Sequence, residues 1–386
     1  MKSEEFYVGK EQTYLKHFFL ERYIERVAFN IGSFENDFVY VDGFSGPWRS
    51  QDEAYEDTSF GIAIKKLRFV HDAYLKQGKK LHIRCLFIEK DGTAYTELKR
   101  WADSIEDFEA KSIHGEFENV IPQIQDFIGR SFSLIFIDPT GWKGFALEKI
   151  KPILKLRGEV IINFMFDYIN RFLINDNRED IVATFNDLFG GEGYRKEYDL
   201  IRGKGFSEEE AKSKVYLGRL RKFGEFPHIG SFQILKPRHD RSFFYLLYGT
   251  RHIKGLIEFR KVEKRVFKKQ NDIRKSIKHK NGAQGPEQLS FPGEEFSQRD
   301  PTLLERERNR HLEDAIGLIN SLIGENDTLK YVDILGKALE IPFVYEDDVK
   351  KFLFDLKNRG KISFEGLNEN ERTLKWKSDH RIVRIS

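Results

Sequence analysis

A single cysteine in 386 residues, Cys85, rules out an intrachain disulfide and any zinc site built from a cysteine cluster. Its apolar neighbours in 81–88 mark it as a small core residue. No apolar run approaches the roughly 20 residues that span a bilayer, and the chain opens without a signal-peptide pattern. Both observations predict a cytoplasmic protein with no membrane partner. An excess of one charge is missing too. Lys and Arg total 65 against 62 acids, a net +3, so total charge selects no partner and only its distribution can. No repeat of fixed period occurs, which excludes a solenoid, and there is no G-x-G-x-x-G dinucleotide fingerprint. What the chain does have in quantity is apolar and aromatic side chains, 40% hydrophobic with 35 phenylalanines. That composition specifies a well-packed globular protein, and the length suits two domains.

The chain is organised around residues 38–48, Phe-Val-Tyr-Val-Asp-Gly-Phe-Ser-Gly-Pro-Trp. An unbroken β-branched and aromatic run suits a strand buried on both faces. It breaks at Asp42-Gly43 and again at Gly46-Pro47, as a doubly wound sheet does where it presents a ligand site. Glycine at 43 and 46 allows left-handed backbone or close approach of a ligand. Further strands are predicted at 81–88, 112–113, 133–137 and 160–164. Helices are predicted at 11–29, from Thr58 or Ser59 past Val70, and at 93–105, 120–128 and 147–154. This alternation predicts an α/β, Rossmann-like, mostly parallel sheet covered on both faces. An antiparallel pair, 231–235 with 243–249, completes it, and 166–230 is a helical insertion. Lys10, Lys16 and His17 on the first helix either look toward the first strand tip or, the commoner case for any one of them, are solvated charge.

Four strand tips carry an acid: Asp42, Glu89, Glu116 and Asp138. A parallel sheet gathers its tips at one edge, so these carboxylates should converge. Converging acids suit a ligand rich in donors, with hydroxyls, an amine and a purine edge, and they repel a pyrophosphate. Glu89 is placed to take ribose hydroxyls, and Glu116 an adenine amino group. In Asp138-Pro139-Thr140-Gly141-Trp142, the carboxylate and the Pro139 carbonyl can accept both hydrogens of a planar amine. That would orient its lone pair for attack on a methyl group, with Trp142 or Phe164 stacked on a base. The same acids could instead hold a divalent metal for nuclease chemistry, which leaves the glycine turn without a task; the expectation is no metal.

These motifs in this order (Tyr-Val-Asp-Gly-Phe-Ser-Gly-Pro, Phe-Ile-Glu-Lys-Asp, His-Gly-Glu-Phe, Phe-Ile-Asp-Pro-Thr-Gly and Ile-Ile-Asn-Phe with Asn170-Arg171) resemble the three-Cys-motif partner family across most of 10–260. The resemblance implies a class I S-adenosylmethionine-dependent methyltransferase fold and a possible partner protein bearing three cysteines. It places Asp42, Gly43 and Gly46 under the methionine part of the cofactor, Glu89 on the ribose and Glu116 near the adenine. Phe44, Lys90 and Phe117 lie beside them in the same cofactor site. The sequence departs once from this family's pattern and once from that of amino-directed nucleic-acid methyltransferases, which carry Asp/Asn-Pro-Pro followed by an aromatic. Trp48 stands where many members have glycine, and Thr140-Gly141 separate Asp138-Pro139 from the aromatic Trp142.

Beyond residue 259 the character changes. Residues 260–280 are densely basic, with Lys264, Arg265, Lys268 and Lys269 on an amphipathic helix, and 281–301 is rich in glycine and proline. Residues 302–386 read as three helices and a hairpin, 361–365 with 373–377 around 368–370. That is a winged-helix-like order, with Lys350, Lys351 and Lys357 on the third helix. The expected domains are 1–259 (methyltransferase-like, with the insertion 166–230), 260–301 (basic helix and linker) and 302–386. The expected function is methyl transfer to nucleic acid, specifically to an amino group, through Asp138, Pro139, Thr140 and Trp142, with the named cations of the basic helix and the third helix docking the phosphate backbone. The alternative is a catalytically silent scaffold for a second protein.

Overall fold

A computed structural model describes residues 1–46, 50, 55–141, 143–165, 178–282, 301–367 and 371–385, the side chains of 278–282 excepted. The chain divides into two compact units, Met1–Ile234 with Ser242–Glu258 and Leu235–Arg241 with Phe259–Ser386.

The first unit opens with α1 (Glu11–Gly32), then β1 (Asp37–Asp42), α2 (Ser59–Lys76), β2 (His82–Glu89), α3 (Gly92–Asp103), β3 (Glu109–His114) and α4 (Ile121–Ile128). It continues with β4 (Phe132–Ile137), α5 (Leu147–Leu154), β5 (Gly158–Met165), α6 (Glu179–Phe189), α7 (Tyr194–Arg202), α8 (Glu208–Gly224), β6 (His228–Leu235) and β7 (Ser242–Thr250). The strands form one sheet in the order β3-β2-β1-β4-β5-β7-β6. The first five are parallel, and β7 runs antiparallel to β5. This is the Rossmann-like, mostly parallel sheet expected.

Alternating residues of each central strand serve opposite faces. Val39, Val41, Ile135, Ile137, Val160 and Ile162 join the core beneath α4, α5, α6 and α8. Their neighbours Phe38, Tyr40, Leu134 and Phe136 are also buried. Both sides are covered, so the strands read as continuous apolar runs. The short strand expected at 112–113 is longer, because β3 is a sheet edge. There Glu109 and Lys111 reach solvent beside paired backbone, a polar alternation that hides the strand from an apolar scan. Helix starts follow local chemistry. Thr58 caps α2 by accepting from Gly61 N at 3.1 Å, and Asp91 caps α3 by accepting from Ala94 N at 2.9 Å. Part of the expected insertion, 166–177, lies outside the described residues, and its remainder is mostly helical up to the start of β6.

The second unit contains most of α9 (Ile253–Gly282), α10 (Leu303–Glu325), β8 (Thr328–Lys330), α11 (Tyr331–Ala338), α12 (Glu346–Asn358), β9 (Ile362–Glu365) and β10 (Arg381–Arg384). Two corrections arise here. The basic helix does not stand apart from the tail. Arg260 is buried, donating to Leu339 O at 2.7 Å and pairing with the buried Glu263 at 2.8 Å. Arg274 is buried too, donating to His239 O at 3.0 Å and pairing with Asp240. Burial pushes the Glu263 carboxyl up to about 7, against the pull of Arg260. The expected strand at 373–377 is also absent, and β9 pairs antiparallel with β10 instead. Residues 371–380 are a loop pinned by the buried His380, whose Nδ1 accepts from Lys375 N at 2.9 Å while Nε2 lies 3.0 Å from Glu371. β8 completes a small sheet in the order β8-β10-β9. Among the described residues no helix is long and apolar enough to cross a membrane.

Candidate functional site

The strand order reverses between β1 and β4, which places the sheet's ligand crevice at their carboxyl ends. Three backbone hydrogen bonds draw the tips together: Gly43 N to Phe136 O (2.9 Å), Ser45 N to Ile88 O (2.8 Å) and Gly115 N to Glu89 O (3.0 Å). Around them lies a cavity of about 750 Å³. Its walls include Gly43, Phe44 and Gly46 after β1, Glu89 and Lys90 after β2, Glu116 and Phe117 after β3, and Asp138 and Thr140 after β4. Every cofactor residue expected from the sequence therefore lines one cavity, except Asp42.

Asp42 is fully buried beneath the turn. Its carboxylate accepts from Phe44 N at 3.2 Å and Tyr40 OH at 3.4 Å, and its main-chain carbonyl accepts from Ser45 OH at 2.9 Å. Desolvation pushes this carboxyl up to about 6, opposed by hydrogen bonds from Ser59 and Phe44 and reinforced by the nearby Asp138. Glu89 is 4% exposed, and its Oε1 accepts from Asp91 N at 2.7 Å. Burial raises its pKa as well. Glu116 differs, being exposed and accepting from Asn119 Nδ2 at 3.0 Å. The glycine at 43 is required for space rather than for left-handed backbone. A Cβ there would stand 2.8 Å from the ring of Phe117, which is buried against Phe44 with ring centroids 5.6 Å apart.

At the fourth tip the expected free carboxylate is occupied. Lys16 Nζ donates to Asp138 Oδ2 at 2.5 Å, and Asn163 Nδ2 donates to Asp138 Oδ1 at 2.5 Å. Of the two alternatives for Lys16, solvated charge is thus the wrong one: the side chain turns to the strand tips and meets that of β4. Asn163, on β5, is 2% exposed, and its Oδ1 has no hydrogen-bond partner among the described residues. Phe164 cannot stack on a base, because it is fully buried against Tyr216 at 4.6 Å between ring centroids. Pro139 is buried and does not line the cavity, and Trp142 and Trp48 lie outside the described residues.

The N-terminal segment supplies a further wall, of which sequence reasoning offered Lys10, Lys16 and His17 but missed Phe6, Tyr7 and Thr13. Phe6, Tyr7, Lys10, Thr13, Lys16 and His17 all face the cavity. Tyr7 OH lies 2.9 Å from Nδ1 of the buried His17, and burial holds that imidazole well below its usual pKa, hence neutral. Nothing in the local pattern of Glu-Glu-Phe-Tyr marks it as a wall, since its partners come from distant strand tips.

The expected nucleic-acid residues all lie in the second unit. Lys264, Arg265, Lys268, Lys351 and Lys357 are exposed, while Lys269 and Lys350 are half-buried. Lys264 pairs with Asp347 at 3.2 Å and Lys350 with Glu346 at 2.8 Å, so part of this charge is neutralised locally.

Neither a protein-family model nor a curated protein sequence matches this chain. Among solved structures, a protein of Legionella pneumophila is 11% identical, aligning over 61% of this chain and 85% of its own with a TM-score of 0.34. Cofactor-bound Rv0187 from MTB is 12% identical over 60% and 79%, with a TM-score of 0.30. A loganic acid methyltransferase solved with SAH is 9% identical over 69% and 88%, with a TM-score of 0.29. At such distances the functional reading rests on the residues of the site itself.

Proposed function

We propose that this chain is a class I S-adenosylmethionine-dependent methyltransferase acting on nucleic acid in the cytoplasm. The observation that carries the reading is one cavity at the switch point whose acids come from successive strand tips. Its volume of about 750 Å³ falls within the roughly 300–1,000 Å³ of small-molecule sites. The donor set fits the cofactor. Glu89 suits ribose hydroxyls, and Glu116 with Phe117 suits the adenine. Asp42, through its field beneath Gly43, Phe44 and Gly46, suits the ammonium of the methionine part. When bound, S-adenosylmethionine supplies an electrophilic methyl group. The chain's own residues hold it, wall it with Phe44 and Phe117, and place the acceptor at the Asp138 end. The strand order, with β7 antiparallel, supports the class I assignment.

Isothermal titration with S-adenosylmethionine and S-adenosylhomocysteine tests this reading, and binding of neither would overturn it. Glu89→Ala should weaken cofactor binding about 10- to 100-fold, the effect of losing a charge-assisted hydrogen-bond acceptor. Unchanged affinity would remove Glu89 from the site. Cofactor binding without transfer to any nucleic acid would favour the silent scaffold, and a cysteine-bearing partner in the sense of the three-Cys-motif resemblance would then be sought.

For the second unit we propose a winged-helix-like nucleic-acid module. The support is its element order, ending in the antiparallel β9–β10 pair, and the exposed lysines of α12. Replacing Lys268 and Lys351 by glutamate should weaken RNA binding and reduce its salt slope by roughly one for each phosphate no longer neutralised. A slope that does not move would assign this unit to protein partners.

A further inference from the structure

The acceptor end of the cavity presents an ammonium held by a carboxylate. Both Asp138 oxygens already accept, from Lys16 at 2.5 Å and from Asn163 at 2.5 Å. Asn163 is held on β5 by its register opposite Leu246 and does not line the cavity, whereas Lys16 does. Asp138 lines the cavity as well, so an acceptor arriving here meets the Lys16 ammonium beside a carboxylate whose two oxygens are already engaged. We infer that Lys16 is a catalytic residue and that the acceptor is a hydroxyl oxygen rather than an amine. Because this rests on the methyltransferase reading with a nucleic-acid substrate, the hydroxyl is a ribose 2′-hydroxyl of RNA, since internal deoxyribose has none.

The chemistry separates the two acceptors. A neutral amine attacks through its lone pair and becomes cationic, so an adjacent ammonium would both tie up that lone pair and repel the developing charge. A hydroxyl must shed its proton and gains negative character as it does so, which a neighbouring ammonium stabilises. In the transfer the ribose oxygen forms a bond to the methyl carbon. The sulfonium sulfur keeps the electron pair of the broken carbon–sulfur bond. The hydroxyl proton leaves to solvent water, while the Lys16 ammonium stabilises the negative character left on the oxygen. Asp138 and Asn163 are positioning residues that hold the lysine at the tip of β4. Exposed Lys10, Lys90 and Lys143 also line the cavity and suit the phosphates that flank a ribose.

The experiment uses the full chain, labelled S-adenosylmethionine, and total RNA and DNA as probes, with cofactor affinity measured by calorimetry beforehand. The expected result is label in RNA alone, recovered after alkaline hydrolysis as resistant dinucleotides, the signature of a methylated 2′-oxygen. Lys16→Met should lower transfer at least 100-fold while cofactor affinity changes less than twofold, and Lys16→Arg, which keeps the cation, should recover part of the rate. Label on bases or in DNA would overturn the inference, as would full activity in Lys16→Met. A parent that binds cofactor and labels neither pool would overturn it too. Failure to bind cofactor at all is a different result, and it removes the methyltransferase reading itself.

Discussion

Asp42→Asn should make the protein more stable and its cofactor binding weaker. The parent carboxyl is fully buried and pushed up to about 6, whereas an unfolded aspartate titrates near 3.9. The folded state therefore holds this proton more tightly than the unfolded state. The stability it contributes is complete below about pH 4 and is lost as pH rises through about 6. Above that, the native state carries an ionised group in a dry site at a cost of roughly 2–3 kcal/mol. Asparagine is isosteric, and its oxygen can still accept from Phe44 N while its amide meets Tyr40 OH. Removing the charge should raise the Tm by about 5 °C or more at pH 8, with little change at pH 4. Cofactor affinity should fall about tenfold or more, because a carboxylate in a low-dielectric pocket favours a nearby ammonium strongly. Scanning fluorimetry at both pH values and calorimetry at pH 8 check the two halves. A stabilisation equal at both pH values would show that ionisation is not the cause. Unchanged cofactor affinity would leave Asp42 with the turn alone.

Such a trade is expected where a site keeps a charge that the fold would rather exclude, and it explains why this residue was legible. β1 is apolar until Asp42, so an acid at its end stands out. The same holds for Glu89 after β2 and Asp138 after β4, since parallel strands buried on both faces are unbroken apolar runs whose ends are sharp. Contacts set by docking left no such mark. Lys16 and Asp138 are 122 positions apart, and the periodicity of α1 locates its buried face without saying which strand tip its first turns reach. Arg260 and Arg274 belong to the basic run 260–280, where composition only counts cations. Their acceptors, the carbonyls of Leu339 and His239, appear only in the folded second unit, to which all four residues belong. The loop at 373–377 resembled a strand because Leu374 and Trp376 alternate with polar residues, yet His380 bonds hold it as turns.

Asp138→Ala should reduce methyl transfer by about 100- to 1,000-fold, the range found for removing one preorganised electrostatic group. Cofactor affinity should stay close to that of the parent, because Glu89 and Asp42 act from other tips. The variant should also be less stable. It leaves the ammonium of Lys16 half-buried without its carboxylate, and it strips Asn163 of the partner of Nδ2 when Oδ1 already has none among the described residues. Breaking a largely buried pair from one side costs roughly 3 kcal/mol. Lys16→Met removes the ammonium instead, so the double variant should recover part of that loss, with a coupling of about 1–3 kcal/mol in a double-mutant cycle. Catalysis should show the same non-additivity. If Asp138 works only by holding Lys16, the double variant should be no slower than the slower single one, as for groups that act as a unit. Denaturation midpoints and single-turnover rates for the four proteins give both cycles. Rate losses that multiply would mean that Asp138 meets the acceptor independently of Lys16, which would restore direct contact between the carboxylate and the acceptor.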